Sequence, residues 1–243
     1  MENYIIKEAF MNKILVFFAY FGNSDESEDN VVKRFAIIDK QLQYVESLER
    51  IQPFHKKYIV TTIPARFDCF IKHISAKYGY CITNTSLSRK NTFEYPAFSF
   101  ISKLSAVTSS NDIIYYFHSK GSGNPTDFSF EIFKMHVNAL IRMNAPEVFK
   151  DEHILRAGLF PAQQGWLWHN FFAIRSSVLN KRIDRNKDRY YYESAIGVMS
   201  DIHCFKTVHS LIPDIYPDTS FEIKEYYIPD ELLDEKTKVL MVP

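Results

Sequence analysis

His118 and Lys120 stand two residues apart, with Gly121 and Gly123 close behind. A lysine ammonium neutralises phosphate charge directly, and an imidazole donates a hydrogen bond or, when neutral, binds a metal. The glycines let backbone amides come close to phosphate oxygens. The same short pattern also describes a histidine that ends a strand and a solvated lysine. Arg89, Lys90 and Asn91 lead into a helix start that holds Glu94 and Tyr95, so a cationic loop and a helix amino terminus face the same class of anionic ligand. Tyr95 is suited to stack on a base or a sugar. An ordinary helix start, with Asn91 or Thr92 as cap and Pro96 in the first turn, fits these residues equally well. Trp166, Trp168 and Phe171 offer a floor on which a sugar stacks, and Asn170 a hydrogen bond to a hydroxyl; for the phenylalanines core packing is the competing reading. His203 and His209 follow later in the chain.

Several site types are excluded by what the chain lacks. Seven glycines, with no G-x-G-x-x-G and no G-x-x-x-x-G-K-[ST], argue against dinucleotide and P-loop sites, and the absence of G-x-S-x-G removes the usual serine hydrolase. Cys69, Cys81 and Cys204 form no C-x-x-C pair, which speaks against a disulfide framework and a zinc knuckle. Lys plus Arg and Asp plus Glu balance at 29 each, so no net field draws the chain to nucleic acid. The longest strongly apolar run, Ile14 to Phe21, is far short of the roughly 20 residues that span a bilayer. The expected location is cytoplasmic, with peripheral attachment at a membrane left open.

These side chains need elements to hold them. Apolar runs alternate with segments of helical period, the mark of an α/β domain with a mixed, mostly parallel sheet flanked by helices. Lys13 to Phe21 predicts the first strand, a helix falls within Val31 to Ile51, and Tyr58 to Thr62 makes the second strand. Phe67 to Tyr78 reads as a helix stopped by Gly79, followed by a short strand over Tyr80 to Thr83. Pro96 to Val107 is a further helix, and the strand Asp112 to Phe117 runs straight into His118. A long helix follows Phe128 to about Met143, then a second opened by Pro146. Phe171 to Ile174 reads as a late strand, Arg182 to Lys187 as loop, and Tyr191 to Met199 as helix. The acidic stretch Asp25 to Asp29 predicts a solvated loop. One domain over residues 1–243 is expected, with a nucleotide-sugar half over about 13–125, an acceptor half over about 126–215 and a tail over 216–243.

Read as strings, Asn91-Thr92-Phe93-Glu94-Tyr95-Pro96-Ala97 and Tyr115-Tyr116-Phe117-His118-Ser119-Lys120-Gly121 resemble the "N-T-x-E-Y-P" helix start and "Y-F-H-[ST]-K-G" strand end of polysaccharide glycosyltransferases of the GT-A type, the rhamnan-synthesis group among them. Trp168 to Arg175 is similar to that family's "G-N-F-W-W-A-[RK]" strand, and Asp188 to Gly197 to its "R-Y-x-x-E-x-W-I-G" helix. His169 stands for the glycine, Phe172 and Ala173 for the two tryptophans, and Ala195 in the W-I-G segment. The resemblance implies a single GT-A-like, Rossmann-like domain of polysaccharide biosynthesis. Its activity would be that of a hexosyl- or deoxyhexosyltransferase taking a UDP-, GDP- or dTDP-sugar to a glycan acceptor. It implies donor contacts at His118, Lys120, Gly121, Arg89, Asn91, Glu94 and Tyr95, acceptor contacts at Trp168, His169 and Asn170, and Glu193 as the base that takes the acceptor proton. Most GT-A enzymes hold a divalent metal with D-x-D, which this chain lacks. No cofactor is therefore required by the sequence, manganese or magnesium remains an option, and no metal ligand is assigned. Two other functions fit the same residues: a sugar- or nucleotide-sugar-binding protein without turnover, and another group transferase using an anionic nucleotide donor.

Overall fold

The computed structural model describes residues 11–83, 92–122, 126–160, 167–179, 182–185, 187, 191–192 and 208–210. Among them, seven strands form one sheet: β1 (Lys13–Tyr20), β2 (Lys56–Thr62), β3 (Cys81–Thr83), β4 (Ile113–His118), β5 (Arg156–Gly158), β6 (Phe172–Arg175) and β7 (Val208–Ser210). Their order across the sheet is β3-β2-β1-β4-β6-β5-β7. β1 lies parallel to β2 and β4, β2 to β3, and β5 to β7, while β6 runs antiparallel to both β4 and β5. With helices α1 (Glu28–Glu49), α2 (Asp68–Tyr78), α3 (Tyr95–Ser105), α4 (Asp127–Arg142) and α5 (Ala145–Val148), this is the mixed, mostly parallel α/β plan of a GT-A-like, Rossmann-like fold.

A strand covered on both faces is apolar along its buried length, and β1 is so from Ile14 to Ala19. Leu15, Phe17 and Ala19 enter the core formed with α1, α2 and α4, while Ile14, Val16 and Phe18 enter the one formed with α3. Removing a ring such as Phe17 from this packing costs about 3–5 kcal/mol. β4 alternates in the same way, with Tyr115 and Phe117 on the α1/α4 side and Ile114 and Tyr116 on the α3 side. Its lower end is pinned by Asp112, whose Oδ1 accepts from the amide nitrogen of Asn12 at 3.1 Å and from its side chain at 2.9 Å.

The acidic stretch is less of a loop than its charges suggest. Ser27 caps α1 by accepting from the Asn30 amide at 3.3 Å, and Glu28 and Asp29 occupy the first turn, where the helix dipole favours carboxylates. Glu26 pairs with Arg34 at 2.5 Å, and the same guanidinium nitrogen donates to the Phe21 carbonyl at 2.8 Å. α2 ends at Gly79 in the left-handed conformation (φ 70), its amide bonded to the Ser75 carbonyl.

Other boundaries moved. The strand after Asp112 starts at Ile113 and includes His118, and the late strand starts at Phe172 rather than Phe171. Neither β5 nor β7 was foreseen. β5 is short and contains an arginine and a glycine, residues that give no strand signal. It is held by a tertiary contact: Arg175 Nε donates to the Ile154 carbonyl at 2.9 Å and Nη2 to the carbonyls of Phe149 and Asp151, which fixes the approach to β5. Of the helix expected over Tyr191 to Met199, Tyr191 and Tyr192 are helical, and the remainder, Glu193 included, lies outside the described residues. Among the described residues no helix is long and apolar enough to cross a membrane.

Candidate functional site

β1 and β4 are neighbours at the centre of the sheet, yet the helices beside them lie on opposite faces: α1 and α2 on one, α3 on the other. A ligand crevice opens where strand order reverses in this way, at the carboxyl ends of the strands. The two ends are tied together there. Ser119 donates its amide to the Phe18 carbonyl at 2.9 Å, its hydroxyl accepts from the Tyr20 amide at 3.0 Å, and the Ser122 hydroxyl lies 3.2 Å from it.

His118 is the last residue of β4 and follows the Tyr116 face toward α3. Its ring lies parallel to Tyr116, with interplanar angle 9°, and against Phe171 at 4.6 Å between centroids. Nε2 is 2.8 Å from the carbonyl oxygen of His169, an acceptor only, so this nitrogen carries the hydrogen. Nδ1 faces Glu94 Oε1 at 3.5 Å, with both side chains largely buried. The other carboxylate oxygen of Glu94 accepts from Asn170 Nδ2 at 2.5 Å. Glu94 therefore joins His118 to Asn170. It sits at the N-cap position of α3 but caps nothing with its side chain; neither Asn91 nor Thr92 holds that position, and Pro96 is in the first turn as expected. The carboxylate that ordinarily closes a helix end is turned toward the strand.

The backbone around this cluster is strained. Phe93 (φ 50), His169 (φ 61) and Asn170 (φ 57) are the positive-φ residues other than glycine among those described. Each such conformation costs on the order of 1–3 kcal/mol and persists where surrounding bonds enforce it, as they do at sites of function. Here the enforcing bonds are those from His118 to the His169 carbonyl and from Asn170 to Glu94. Asn170 is 2% exposed, and with its amide committed to the carboxylate its Oδ1 is left buried without a protein partner.

Beneath lies a residue that sequence reasoning passed over. His136, on α4, is fully buried, stacks on Phe171 at 4.9 Å and meets His169 edge-on at 5.2 Å. Among the described residues neither ring nitrogen has a hydrogen-bond partner. Burial, reinforced by the charges of His169, Lys120 and His118, holds its pKa well below the ordinary value, so it is neutral. Nothing in a helical period distinguishes such a histidine from a surface one. Tyr116 is pushed the other way, well above a normal phenol, by burial and then by the Glu94 charge.

The structure divides the expected donor residues between two faces. His118 and Glu94 meet on the α3 side, together with His169 and Asn170, which the resemblance assigned to an acceptor. Tyr95 packs edge-on against Tyr192 at 6.3 Å with Arg185 over its ring at 6.0 Å. The Tyr192 hydroxyl donates to the Asp184 carbonyl, and burial raises its pKa to about 12. Lys120 and Gly121 (φ 76) turn to the α1/α4 side and line a separate cleft there. Arg89, Asn91 and Glu193, and the side chain of Trp168, lie outside the described residues.

Among the described residues no group of three His, Cys, Asp or Glu side chains is arranged to hold a metal ion.

No protein-family model and no curated protein matches the chain. Solved structures do. A cytidylyltransferase from Leptospira borgpetersenii aligns at 15% identity and TM-score 0.43, over 77% of this chain and 70% of its own. A 4-diphosphocytidyl-2C-methyl-D-erythritol synthase aligns at 13% and 0.42, over 93% and 95%. A second such synthase, from Anaerococcus prevotii, aligns at 10% and 0.39, over 94% and 98%. Likeness at this level speaks to fold and not to activity. The expectation of a hexosyl- or deoxyhexosyltransferase is corrected: these three structures are a cytidylyltransferase and two 4-diphosphocytidyl-2C-methyl-D-erythritol synthases, and the rhamnan-synthesis resemblance finds no matching family model.

Proposed function

We propose that the chain is a group transferase that uses an anionic nucleotide as donor, bound over the carboxyl ends of β1 and β4. The observation that carries this reading is the buried pairing of Glu94 with His118 at the point where strand order reverses. Because Nε2–H is held by the His169 carbonyl, the ring in its neutral form presents its lone pair at Nδ1. That atom takes the proton from an acceptor hydroxyl as it attacks the donor, and Glu94 stabilises the imidazolium that results. The imidazolium in turn offsets the negative charge that grows on the departing phosphate. Asn170 keeps Glu94 in place and presents a buried carbonyl for orienting a ligand N–H or O–H.

The test is a thermal-shift panel of nucleoside mono-, di- and triphosphates and nucleotide sugars on the full chain, followed by phosphorus NMR of the stabilising nucleotide with alcohol and phosphate acceptors. One nucleotide class should stabilise the protein and be consumed. His118→Ala should slow consumption by about 10²–10⁴ while leaving nucleotide binding within a few fold. If no nucleotide raises the melting temperature, the reading fails.

A further inference from the structure

The cleft on the α1/α4 face has a volume of about 330 Å³, and its wall includes Lys40, Gln41, Lys120, Thr126, Ser129 and Phe130. Gln41 is the telling residue. It lies on α1, is 0% exposed, and donates its Nε2 to the Lys120 carbonyl at 2.7 Å. That bond fixes the orientation of the amide, since a carbonyl accepts only. Among the described residues Oε1 is then a buried acceptor with no partner, on a residue that lines the cleft. A buried acceptor left unmatched costs about 1–3 kcal/mol, which a ligand donor would recover.

The rest of the wall suits an anion. Lys40 lies over the Phe130 ring at 4.2 Å and forms no ion pair among the described residues, so its charge is positioned but not neutralised. Lys120 borders the same space, its carbonyl held by Gln41. Thr126 caps α4, accepting from the Ser129 amide at 3.0 Å, and its hydroxyl lies 2.8 Å from that of Ser129. One hydroxyl donates to the other, so a single O–H remains for a ligand at the positive end of a 16-residue helix. Lys40 and this helix end select phosphate, and Gln41 Oε1 selects a hydroxyl beside it.

We propose that this cleft binds the phosphomonoester of a polyol, with the phosphate between Lys40 and the amino terminus of α4 and a hydroxyl donating to Gln41. Sugar phosphates and nucleoside monophosphates both present this chemistry. The inference requires binding alone and stands apart from the transferase reading, which concerns the opposite face of the sheet.

The experiment titrates the ¹⁵N-labelled full chain with inorganic phosphate, ribose 5-phosphate and adenosine 5′-monophosphate, following the Gln41 side-chain amide and the backbone amides of Gly121 and Ser129. Ribose 5-phosphate should saturate these shifts and bind at least about fivefold more tightly than phosphate, a difference of about 1 kcal/mol. Lys40→Met, which keeps the stem over Phe130 but removes the charge, should weaken phosphate and ribose 5-phosphate alike by about tenfold. Gln41→Leu should abolish the preference for ribose 5-phosphate and leave phosphate binding in place; should that variant not fold, Lys40→Met decides. Binding of adenosine 5′-monophosphate at least as tight as that of ribose 5-phosphate would mark a nucleotide site, and its exclusion a sugar-phosphate site. Absence of saturable shifts with phosphate and ribose 5-phosphate up to about 20 mM, or undiminished binding in Lys40→Met, overturns the proposal.

Discussion

His136 shows how a single side chain sets the pH range of a fold. A histidine whose folded pKa lies below its unfolded value of about 6.5 stays neutral in the native protein while the unfolded chain takes up a proton. Its contribution to stability is complete above the unfolded pKa and is lost as pH falls below it, at no more than about 1.4 kcal/mol per pH unit. Phenylalanine has nearly the same shape, no nitrogens to leave unpaired, and Phe160 and Phe171 as neighbours already. His136→Phe should therefore match the parent melting temperature near pH 7.5 and exceed it increasingly toward pH 5. Calorimetry across that range checks it, and parallel curves for the two proteins would show that His136 is not the titrating group.

At the scale of elements, the turn from β1 into α1 rests on Gly22 and the Glu26–Arg34 pair. Gly22 has φ 136, and a Cβ there would come within 2.4 Å of Glu26 Cγ and 2.7 Å of Arg34 Nη1. Gly22→Ala should cost about 1–3 kcal/mol in urea unfolding. Burial pushes the Glu26 carboxyl up, but hydrogen bonds from Arg34 and Asn30 outweigh it and leave the pKa below the usual value. Its contribution is thus present above the unfolded carboxylate pKa and disappears as pH falls through the lower folded one. Glu26→Gln should destabilise by about 0.5–1 kcal/mol at pH 7, and the difference should shrink as pH falls through the lowered folded pKa. These long-range details mark where the sequence stops being legible. β1, β4 and α2 are readable because burial on both faces, or a left-handed glycine stop, leaves a local signature in residue type. β5 is not, because Arg156 and Gly158 join the sheet through the Arg175 clamp, a contact between segments. The site divides along the same line: His118 announces itself at a strand end, whereas the contact of Glu94 with it, the exposed charge of Lys40 and the orphaned amide of Gln41 exist only once α1, α3 and β4 are packed.

For the whole molecule, the two cores differ in how they are assembled. α1, α2 and α4 cover one face and α3 the other, so the α3 face depends on a single described helix and on packing by Val178, Leu179, Ile183 and Tyr192. Leu104→Ala, on α3, should lower stability by about 2–5 kcal/mol, and hydrogen exchange should show α3 opening before α1. Equal protection of the two helices would argue against this asymmetry. The pairing of β1 with β4 has a temporal side as well. Lys13 lies opposite Ile113, so the middle of the sheet joins segments about 100 residues apart in parallel, an arrangement with no hairpin to start it. On a ribosome adding about 5–20 residues per second, β1 waits roughly 5–20 s for its partner to be made. During that interval an eight-residue strand, apolar from Ile14 to Ala19, is paired at most with β2, and its free edge is a target for chaperones or for another copy of itself.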